Sequence, residues 1–439
     1  MNLLRLFTTL AIGLCCLIAQ ADDDVPVLPS SALEAAEAQA AHALGPFNLE
    51  LKGQGMSDWR QADKAIISGR IAARLYGQGN ISGPFGVEVN TRLRTQVNSR
   101  EHYQAEKNIR LDVQSLALSY TPSPAWRWLA GRANIRNGVA SGFNPTDWFK
   151  NNSQVIYESL DTADRRKDRL GSVALVGVWL DTSSVLSFGY RPNLHARPDT
   201  LASNSDVAGL GLERTNNQDA VFIKYAPSPA SWNNLSMTVS SLYQTRQPSL
   251  GSELSLALLD NLVLYSEWFG QRRQSLTDEA TQNHQPAWRL YNQLASGFTW
   301  SLPESMASNE DISLSVEYHF NEAGIRQKQL NTWRQAIAEG NQPARRIALL
   351  ANIRQEPLAE QQLFGRIAWN NFWGERDLSF ITAATPMDGS GFSQLTLSSP
   401  ITPALRLELQ GYHYFGDNNT LYGSAGRKDG FMLSLIYTL

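Results

Sequence analysis

The sequence predicts an all-β protein: a transmembrane antiparallel β-barrel of about 18 strands, within a range of about 16 to 18. Three observations predict this fold class. Apolar and polar residues alternate along many segments of about ten residues, the length of a tilted membrane-spanning strand. The connections between these segments are alternately short and long. Beyond residue 21, the chain of 439 residues contains no run of about 20 apolar residues that could form a transmembrane helix.

The first 21 residues are typical of a secretory signal peptide. Arg5 supplies a positive charge, residues 6–18 are apolar, and Ala19-Gln20-Ala21 is a cleavage sequence. The only two cysteines of the chain, Cys15 and Cys16, lie within this leader. We therefore predict an exported protein whose mature part has no disulfide bond.

The segment 22–45 is predicted to be a periplasmic extension that precedes the barrel. Ser31 and Glu34 form a capping-box pattern, and the alanine-rich sequence that follows them predicts a short helix. The barrel itself is predicted to occupy residues 46–439.

Alternation with a period of two places successive side chains on opposite faces of a strand. The segment 311–320 is the clearest example, because Leu314 and Val316 alternate with Ser315 and Glu317. A soluble sandwich shows the same alternation, so the pattern alone does not separate the two folds. The predicted strands lie near 46–55, 66–76, 85–97, 108–120, 125–136, 170–180, 183–190, 218–226, 234–244, 252–259, 261–271, 288–302, 311–320, 362–370, 376–384, 391–399, 404–415 and 430–439.

The lengths of the connections favour the membrane barrel. Every second connection is a short turn, whereas the intervening ones include the long segments 137–169, 191–217, 272–287, 321–361 and 416–429. Short periplasmic turns and long extracellular loops are typical of outer-membrane barrels, and an even number of strands places both termini in the periplasm. Apolar residues at helical spacing predict two amphipathic helices in 321–361. These helices could cap the outer mouth, fold into the barrel or belong to a mobile surface loop.

The composition excludes several classes of function. A net charge of −3 without a basic tail argues against nucleic-acid binding. The six histidines have no metal-binding or catalytic spacing, and no nucleophile elbow, phosphate loop or zinc motif is present. We therefore expect no enzyme activity, no cofactor and no metal. His319 is predicted to be a solvated residue of the lumen.

Arginine is unusually frequent, with 30 Arg against 8 Lys. Many of these arginines alternate with apolar neighbours, so in a barrel they point into the lumen. The predicted lumen residues are Arg70, Arg74, Arg92, Arg94, Arg110, Arg132, Arg136, Arg366 and Arg406, with Glu88 and Glu408. Two interpretations stay open: these arginines select anions, or they pair with carboxylates and brace a wide lumen.

The most distinctive motif, at 131–138 and 143–149, ends the fifth predicted strand and continues into the loop after it. It contains the turn residues Asn144, Pro145 and Asp147, followed by Trp148. This Gly-Arg-rich strand with an Asn-Pro-x-Asp loop resembles large Gram-negative barrels of the alginate-export and porin-like type, as do the segments 388–391, 414–417 and 422–423. The resemblance implies an 18-stranded barrel with an arginine-rich lumen, and some members move anionic polysaccharide.

The resulting expectation is a channel in the outer membrane of a Gram-negative cell. It would pass or export small or polymeric anionic solutes, and its partners would be membrane lipid, lipopolysaccharide and the barrel-assembly machinery. The alternatives are a non-conducting barrel that binds a surface partner, an outer-membrane hydrolase that uses His319, and a soluble periplasmic β-protein.

Overall fold

The structure is a computed structural model that describes residues 47–59, 65–155, 159–194, 210–229, 231–281, 288–303, 311–340, 342–424 and 428–439. The predicted signal peptide and the predicted periplasmic helix lie outside the described residues, and both stay predictions. No helix among the described residues is long and apolar enough to cross a membrane.

Eighteen strands form one closed antiparallel sheet, which confirms the predicted fold class. Each strand pairs with its neighbours in sequence, and β1 pairs with both β2 and β18. The strands are β1 Asn48–Trp59, β2 Ile66–Ser82, β3 Phe85–Asn98, β4 Ile109–Ser123, β5 Trp126–Ala133, β6 Ser172–Asp181, β7 Ser184–Arg191, β8 Ala220–Pro227, β9 Leu235–Gln244, β10 Gln247–Leu259, β11 Leu262–Arg273, β12 Arg289–Ser301, β13 Asp311–Asn321, β14 Gln361–Phe372, β15 Arg376–Ala384, β16 Gly391–Thr402, β17 Leu405–Phe415 and β18 Asp429–Thr438.

The apolar face of the strands points outward and the polar face points inward. On β2, Ile71 is 69% exposed while Arg74 is 8% exposed, and on β18 Leu433 is 40% exposed while Ser434 is fully buried. A soluble sandwich would bury its apolar faces against each other. An apolar exterior on a closed sheet instead satisfies every backbone group in lipid. The protein is therefore a β-barrel that spans a membrane.

The two ends of the barrel differ as the sequence predicts. At one end β2–β3, β6–β7 and β10–β11 are joined by two-residue turns, whereas at the other end long segments join β5–β6, β7–β8 and β13–β14. The helices among the described residues are α1 Ala105–Asn108, α2 Thr162–Lys167, α3 Leu212–Thr215, α4 Leu276–Ala280, α5 Leu330–Ala338 and α6 Gln342–Arg354, with 3₁₀ turns at Trp148–Lys150 and Gln327–Gln329.

The long loop between β13 and β14 contains the two predicted amphipathic helices, α5 and α6. They pack with α4 into an outer cap, whose shared apolar core consists of Leu276, Ala280, Ile325, Leu330, Trp333, Ile347, Leu350, Ala351, Leu358, Ala359 and Leu421. Since side chains from three long loops meet in this core, the segment is a packed element and not a mobile surface loop.

A buried ion pair ties the outer cap to the barrel wall. The Arg273 guanidinium, at the end of β11, donates two hydrogen bonds of 2.7 Å to the Glu356 carboxylate. Gln293 of β12 donates a third, also 2.7 Å long. Burial disfavours the charged carboxylate, but the charges of Arg273, Arg354 and Lys150 and the hydrogen bonds from Arg273 together outweigh this effect and lower the pKa of Glu356 to about 2. Glu356 therefore stays ionised at all physiological pH values.

The outward apolar face predicts the effect of a charge placed in it. Leu433 lies at mid-strand on β18, so Leu433→Arg should lower the free energy of unfolding in lipid vesicles by about 2–4 kcal/mol. Ile401→Arg, at the short-turn end of β16, should cost only about 0–1 kcal/mol, since the charge reaches the interface. Guanidinium unfolding followed by tryptophan fluorescence measures both values. Equal losses for the two variants would contradict the assignment of the exterior.

Candidate channel interior

The connection between β5 and β6 enters the lumen instead of extending outward. We call residues 134–171 the inner loop. Nearly all of its described residues between Phe143 and Val155 are buried. A loop folded into the bore narrows the space that the barrel encloses.

An apolar patch on the inner wall receives the centre of this loop. Trp148 and Phe149 pack against a cluster that includes Phe222, with ring centroids 6.0 and 5.5 Å from the Phe222 ring. The wall residues of the cluster are Ala174, Val176, Ala220, Phe222, Leu242 and Phe269. These strands are thus apolar on both faces, and the inner face is covered by the loop and not by water.

The turn motif of the inner loop is held by a buried ion pair. Asp147 and Arg169 are almost completely buried, and two hydrogen bonds of 2.8 and 3.1 Å join them. Arg169 also donates to the Asn134 side chain and to the Ile135 carbonyl. A buried ion pair of this kind is stable only when its remaining hydrogen-bond donors are satisfied, as they are here. The pair ties the start, middle and end of the loop together.

The other motif residues are also structural. The Asn144 side-chain amide donates to the Ala140 carbonyl at 2.6 Å, and the backbone carbonyl of Asn144 accepts a 2.5 Å hydrogen bond from Lys150 Nζ. Pro145 is buried beside it. Lys150 is buried over the Phe143 ring, and this burial lowers its pKa to about 8. These turn residues therefore build the fold of the inner loop, and none of the four, Asn144, Pro145, Asp147 and Trp148, lines either of the lumen cavities described below.

Two wall carboxylates clamp the backbone of the inner loop. Glu267 of β11 accepts hydrogen bonds from the Val139 and Ala140 amides at 2.5 and 2.6 Å, and from the Thr146 hydroxyl at 3.0 Å. The close approach requires glycine at position 138, where φ is +97° and a Cβ would lie 2.7 Å from the carboxylate.

Glu317 of β13 is the second clamp carboxylate. It accepts from the Ser141 and Gly142 amides at 2.5 and 2.9 Å, and from the Tyr265 hydroxyl at 2.7 Å. Its fourth contact, at 2.6 Å, is the imidazole of His319. Charge-assisted hydrogen bonds are about twice as strong as neutral ones, so the Glu317 carboxylate fixes this part of the loop firmly. The sequence analysis placed Glu317 on a polar strand face but did not assign a role to either carboxylate.

The prediction that His319 is solvated is wrong. Its side chain is fully buried, with the Phe143 and Phe364 rings 5.6 and 5.7 Å away. The inner loop covers it, and its second ring nitrogen lies 3.1 Å from the Gln362 side chain. In this environment His319 supports the Glu317 clamp and has no access to a substrate.

Ion pairs hold both ends of α2 within the lumen. Asp161, which caps the helix by accepting from the Ala163 amide, lies 3.4 Å from Arg366 of β14. Asp168, at the other end, lies 3.1 Å from Arg74 of β2 and 3.6 Å from Arg92 of β3. The helix thus runs between β14 and the β2–β3 hairpin.

Two cavities flank α2, and both reach the short turns. Cavity A has a volume of about 920 Å³, and Ala163 and Arg166 of α2 face it. Cavity B has a volume of about 390 Å³, and Asp164 and Lys167 of α2 face it. The charged residues that line cavity A are Arg127, Arg136, Arg166, Lys224, Arg366, Glu88 and Glu253. Those that line cavity B are Lys52, Arg70, Arg74, Arg92, Arg94, Lys167, Arg406, Glu50, Asp164, Asp168 and Glu408.

The predicted lumen residues are divided between these cavities. Cavity B contains Arg70, Arg74, Arg92, Arg94, Arg406 and Glu408, and cavity A contains Arg136, Arg366 and Glu88. Arg110 and Arg132 line neither one. Arg132 is buried and donates to the Gly171 carbonyl at 2.9 Å.

The predicted position of Arg136 on the fifth strand is wrong, because β5 ends at Ala133. Beyond that residue the backbone joins the inner loop, where the Ile135 and Asn137 carbonyls accept hydrogen bonds from Arg169 and Arg166. Arg136 therefore reaches cavity A from the loop and not from the wall.

Several arginines of cavity B brace the wall. Arg94 Nε donates to Asp112 Oδ2 at 2.7 Å, and Arg70 donates to the Gln96 side chain at 2.7 Å.

In the same cavity, burial and the neighbouring Asp161 raise the pKa of Asp164 to about 6. Its carboxylate accepts a 2.6 Å hydrogen bond from Ser159. Cavity B thus contains a group that changes charge close to neutral pH.

The described residues contain no group of three or more His, Cys, Asp or Glu side chains that could hold a metal ion.

No protein-family model matches the chain, and no curated protein matches it. Solved structures do match. OccK5 (OpdH) of Pseudomonas aeruginosa is 12% identical with a TM-score of 0.50, over 91% of this chain and 99% of that one. The fold is that of an outer-membrane porin.

A second solved structure supports the same fold. OpdK of Pseudomonas aeruginosa, solved with vanillate, is 8% identical with a TM-score of 0.50, and the match covers 90% of this chain and 98% of that one. At this identity the similarity extends to the architecture alone. It agrees with the porin-like part of the resemblance that the sequence motifs suggest.

The clamp predicts how the inner loop can be released. In Glu317→Gln, an amide NH₂ group would face the Ser141 and Gly142 amides, and hydrogen bonds to a charge, worth about 1.5–3 kcal/mol each, would be lost. The loop should then leave the wall, and trypsin should cleave the detergent-solubilised barrel at Arg165, Arg166 or Lys167.

Glu408→Gln is the matched control for this experiment. Glu408 lies 3.8 Å from Lys52 in cavity B and does not contact the inner loop backbone in the described structure. Its variant should resist trypsin like the wild-type protein. Equal resistance of the Glu317 variant would show that the clamp does not hold the loop.

Proposed function

We propose that the protein is an outer-membrane channel for small anionic solutes, with the inner loop as its constriction. One observation carries the proposal: both cavities beside α2 are lined by an excess of cations. Cavity A has five Lys or Arg side chains against two carboxylates. Cavity B has seven against four.

The electrostatics of such a lining favour anions. A cleft of one charge sign, enclosed by low-dielectric walls, raises the local concentration of the opposite ion. Arginine stays charged at every physiological pH and binds carboxylate or phosphate through a planar fork. Arginines that also brace the wall keep this charge in a fixed position. Bracing and selectivity, the two interpretations left open by the sequence, are thus compatible in one lumen.

The size of the cavities favours small solutes over polymers. The inner loop is anchored at both ends, and α2 divides the space into volumes of about 920 and 390 Å³. A polysaccharide chain, which the alginate-export resemblance would imply, would have to pass beside this fixed helix. The neighbour OpdK was solved with vanillate, a small organic anion. We propose the same general size and charge for the solute of this chain.

Planar bilayers test the proposal. In a gradient of dilute KCl, where screening is weak, the reversal potential of the wild-type channel should show that chloride permeates better than potassium. Replacing both Arg70 and Arg406 with Gln should reduce the chloride preference by about twofold or more. A cation preference in the wild-type protein would contradict the proposal.

The alternatives give different results in the same experiment. A barrel that serves as a surface partner would insert without conductance, and its outer cap would be the working part. A hydrolase would cleave lipid or ester substrates and would lose this activity on His319→Ala. The absence of enzyme activity, the contact with lipopolysaccharide and the use of the barrel-assembly machinery stay predictions.

Asp164 predicts a pH dependence of selectivity. Its pKa of about 6 means that the carboxylate loses its charge as the pH falls from about 7 to about 5. Cavity B then gains net positive charge, so the chloride preference should rise across this range. Asp164→Asn is neutral over this whole pH range, so the part of the rise in chloride preference that comes from Asp164 should be absent. A reversal potential with the same pH dependence in both proteins would exclude Asp164 as the cause.

A further inference from the structure

Arg74 and Arg92 lie directly opposite each other on β2 and β3. Like charges at opposed positions of an antiparallel pair destabilise the sheet unless an anion lies between them. Both residues are buried, with side-chain exposures of 10% for Arg74 and 11% for Arg92, and both line cavity B. The pair therefore requires a negative group at this point of the cavity.

The hydrogen-bond donors of Arg92 are poorly satisfied by the side chains that now surround it. Its Nε and Nη2 atoms are buried and form no hydrogen bond with the described residues. Its ion pairs, with Asp112 and Asp168, are both 3.6 Å long. A buried guanidinium with unused donors costs free energy, and a planar oxyanion that enters the cavity can satisfy them.

Asp168 is the anion that occupies the position now. It contacts Arg74 at 3.1 Å and Arg92 at 3.6 Å, but its side chain keeps 19% exposure to the cavity. Other ion pairs of this lumen are closer. Asp147 contacts Arg169 at 2.8 Å, and both side chains are at 0–1% exposure. Asp112 contacts Arg94 at 2.7 Å, with the Asp112 side chain 8% and the Arg94 side chain 19% exposed.

The position of Asp168 in the chain makes it displaceable. It follows the last residue of α2, where the helix dipole disfavours a negative charge. The helix keeps its other attachment, from Asp161 to Arg366. Asp168 can therefore leave the arginines while the inner loop stays anchored by Glu267 and Glu317.

We propose that Arg74 and Arg92 form an oxyanion-binding subsite in cavity B and that Asp168 is its internal competitor. The carboxylate or phosphate group of a solute displaces Asp168, satisfies Arg92 and frees one end of α2. An anion would thereby widen cavity B as it binds, whereas a cation or a neutral solute would leave Asp168 in place. This inference rests on the proposed function, because it assigns a binding step to the same lumen.

Binding can be measured without conduction, which separates this inference from the channel proposal. The detergent-solubilised full-length barrel is titrated with inorganic phosphate, followed by phosphorus NMR line broadening, and with acetate, followed by proton saturation transfer. The detergent contains neither phosphate nor carboxylate. Asp168→Asn should tighten binding of at least one probe by about tenfold, because the competitor is gone. Arg92→Gln should abolish binding of that probe.

Two controls identify the cause. Glu408→Gln removes one negative charge from the same cavity without touching Arg74 or Arg92, so it should change the affinity far less than Asp168→Asn. Asp168→Glu retains the competitor and should bind like the wild-type protein. If Arg92→Gln fails to fold, Arg92→Lys keeps the charge but loses the fork, and it should weaken binding.

The outcomes decide the inference in each case. Tightening by Asp168→Asn alone supports it, and the probe that responds tells whether the subsite prefers phosphate, carboxylate or both. Equal tightening by Glu408→Gln would show that Asp168 acts only as one more charge, and binding of neither probe would remove the subsite. A chloride-selective conductance in either of these two cases would leave the channel proposal standing.

Discussion

The hydrogen bonds from the inner loop backbone to Glu267 and Glu317 are the interaction on which the rest of the lumen depends. An 18-stranded barrel encloses a wide bore, and side chains alone do not fill it. Glu267 and Glu317 lie on nearby parts of the wall, and they accept hydrogen bonds from consecutive backbone amides of the inner loop. These bonds hold the loop within the bore. Because these amides have no other hydrogen-bond partner within the described parts of the chain, the loop cannot shift by one residue without losing several of these hydrogen bonds.

The fixed position of the loop organises the charges. α2 presents Asp161 to β14 and Asp168 to the β2–β3 hairpin, and it separates two cavities that both carry excess positive charge. The wall arginines have two kinds of partner. Some, such as Arg94 with Asp112, have a close and dry carboxylate that holds them in place. Arg92 has only distant partners, and this difference separates a bracing arginine from one with unused binding capacity.

The strands could be predicted from sequence because alternation is a local property, and the wall arginines could be assigned to the inner face for the same reason. The lumen contacts could not, since they join residues far apart in the chain. Glu267 is one polar residue on a strand until the inner loop is placed on it. His319 was expected to be solvated because nothing nearby in sequence covers it. Arg136 was assigned to a strand that in fact ends at Ala133, because the neighbouring Ile135 and Asn137 carbonyls accept hydrogen bonds from Arg169 and Arg166 of the inner loop.

The contact between Ser141 and Glu317 spans 176 residues. Its acceptor is on β13, and seven strands, β6 to β12, are synthesised between the loop and that strand. The apolar patch for Trp148 and Phe149 likewise requires β6 through β11 to be in place. During biogenesis the inner loop therefore cannot dock until most of the barrel wall has formed. A partly assembled barrel has an unobstructed bore, and the narrowing arises as one of the last events of maturation.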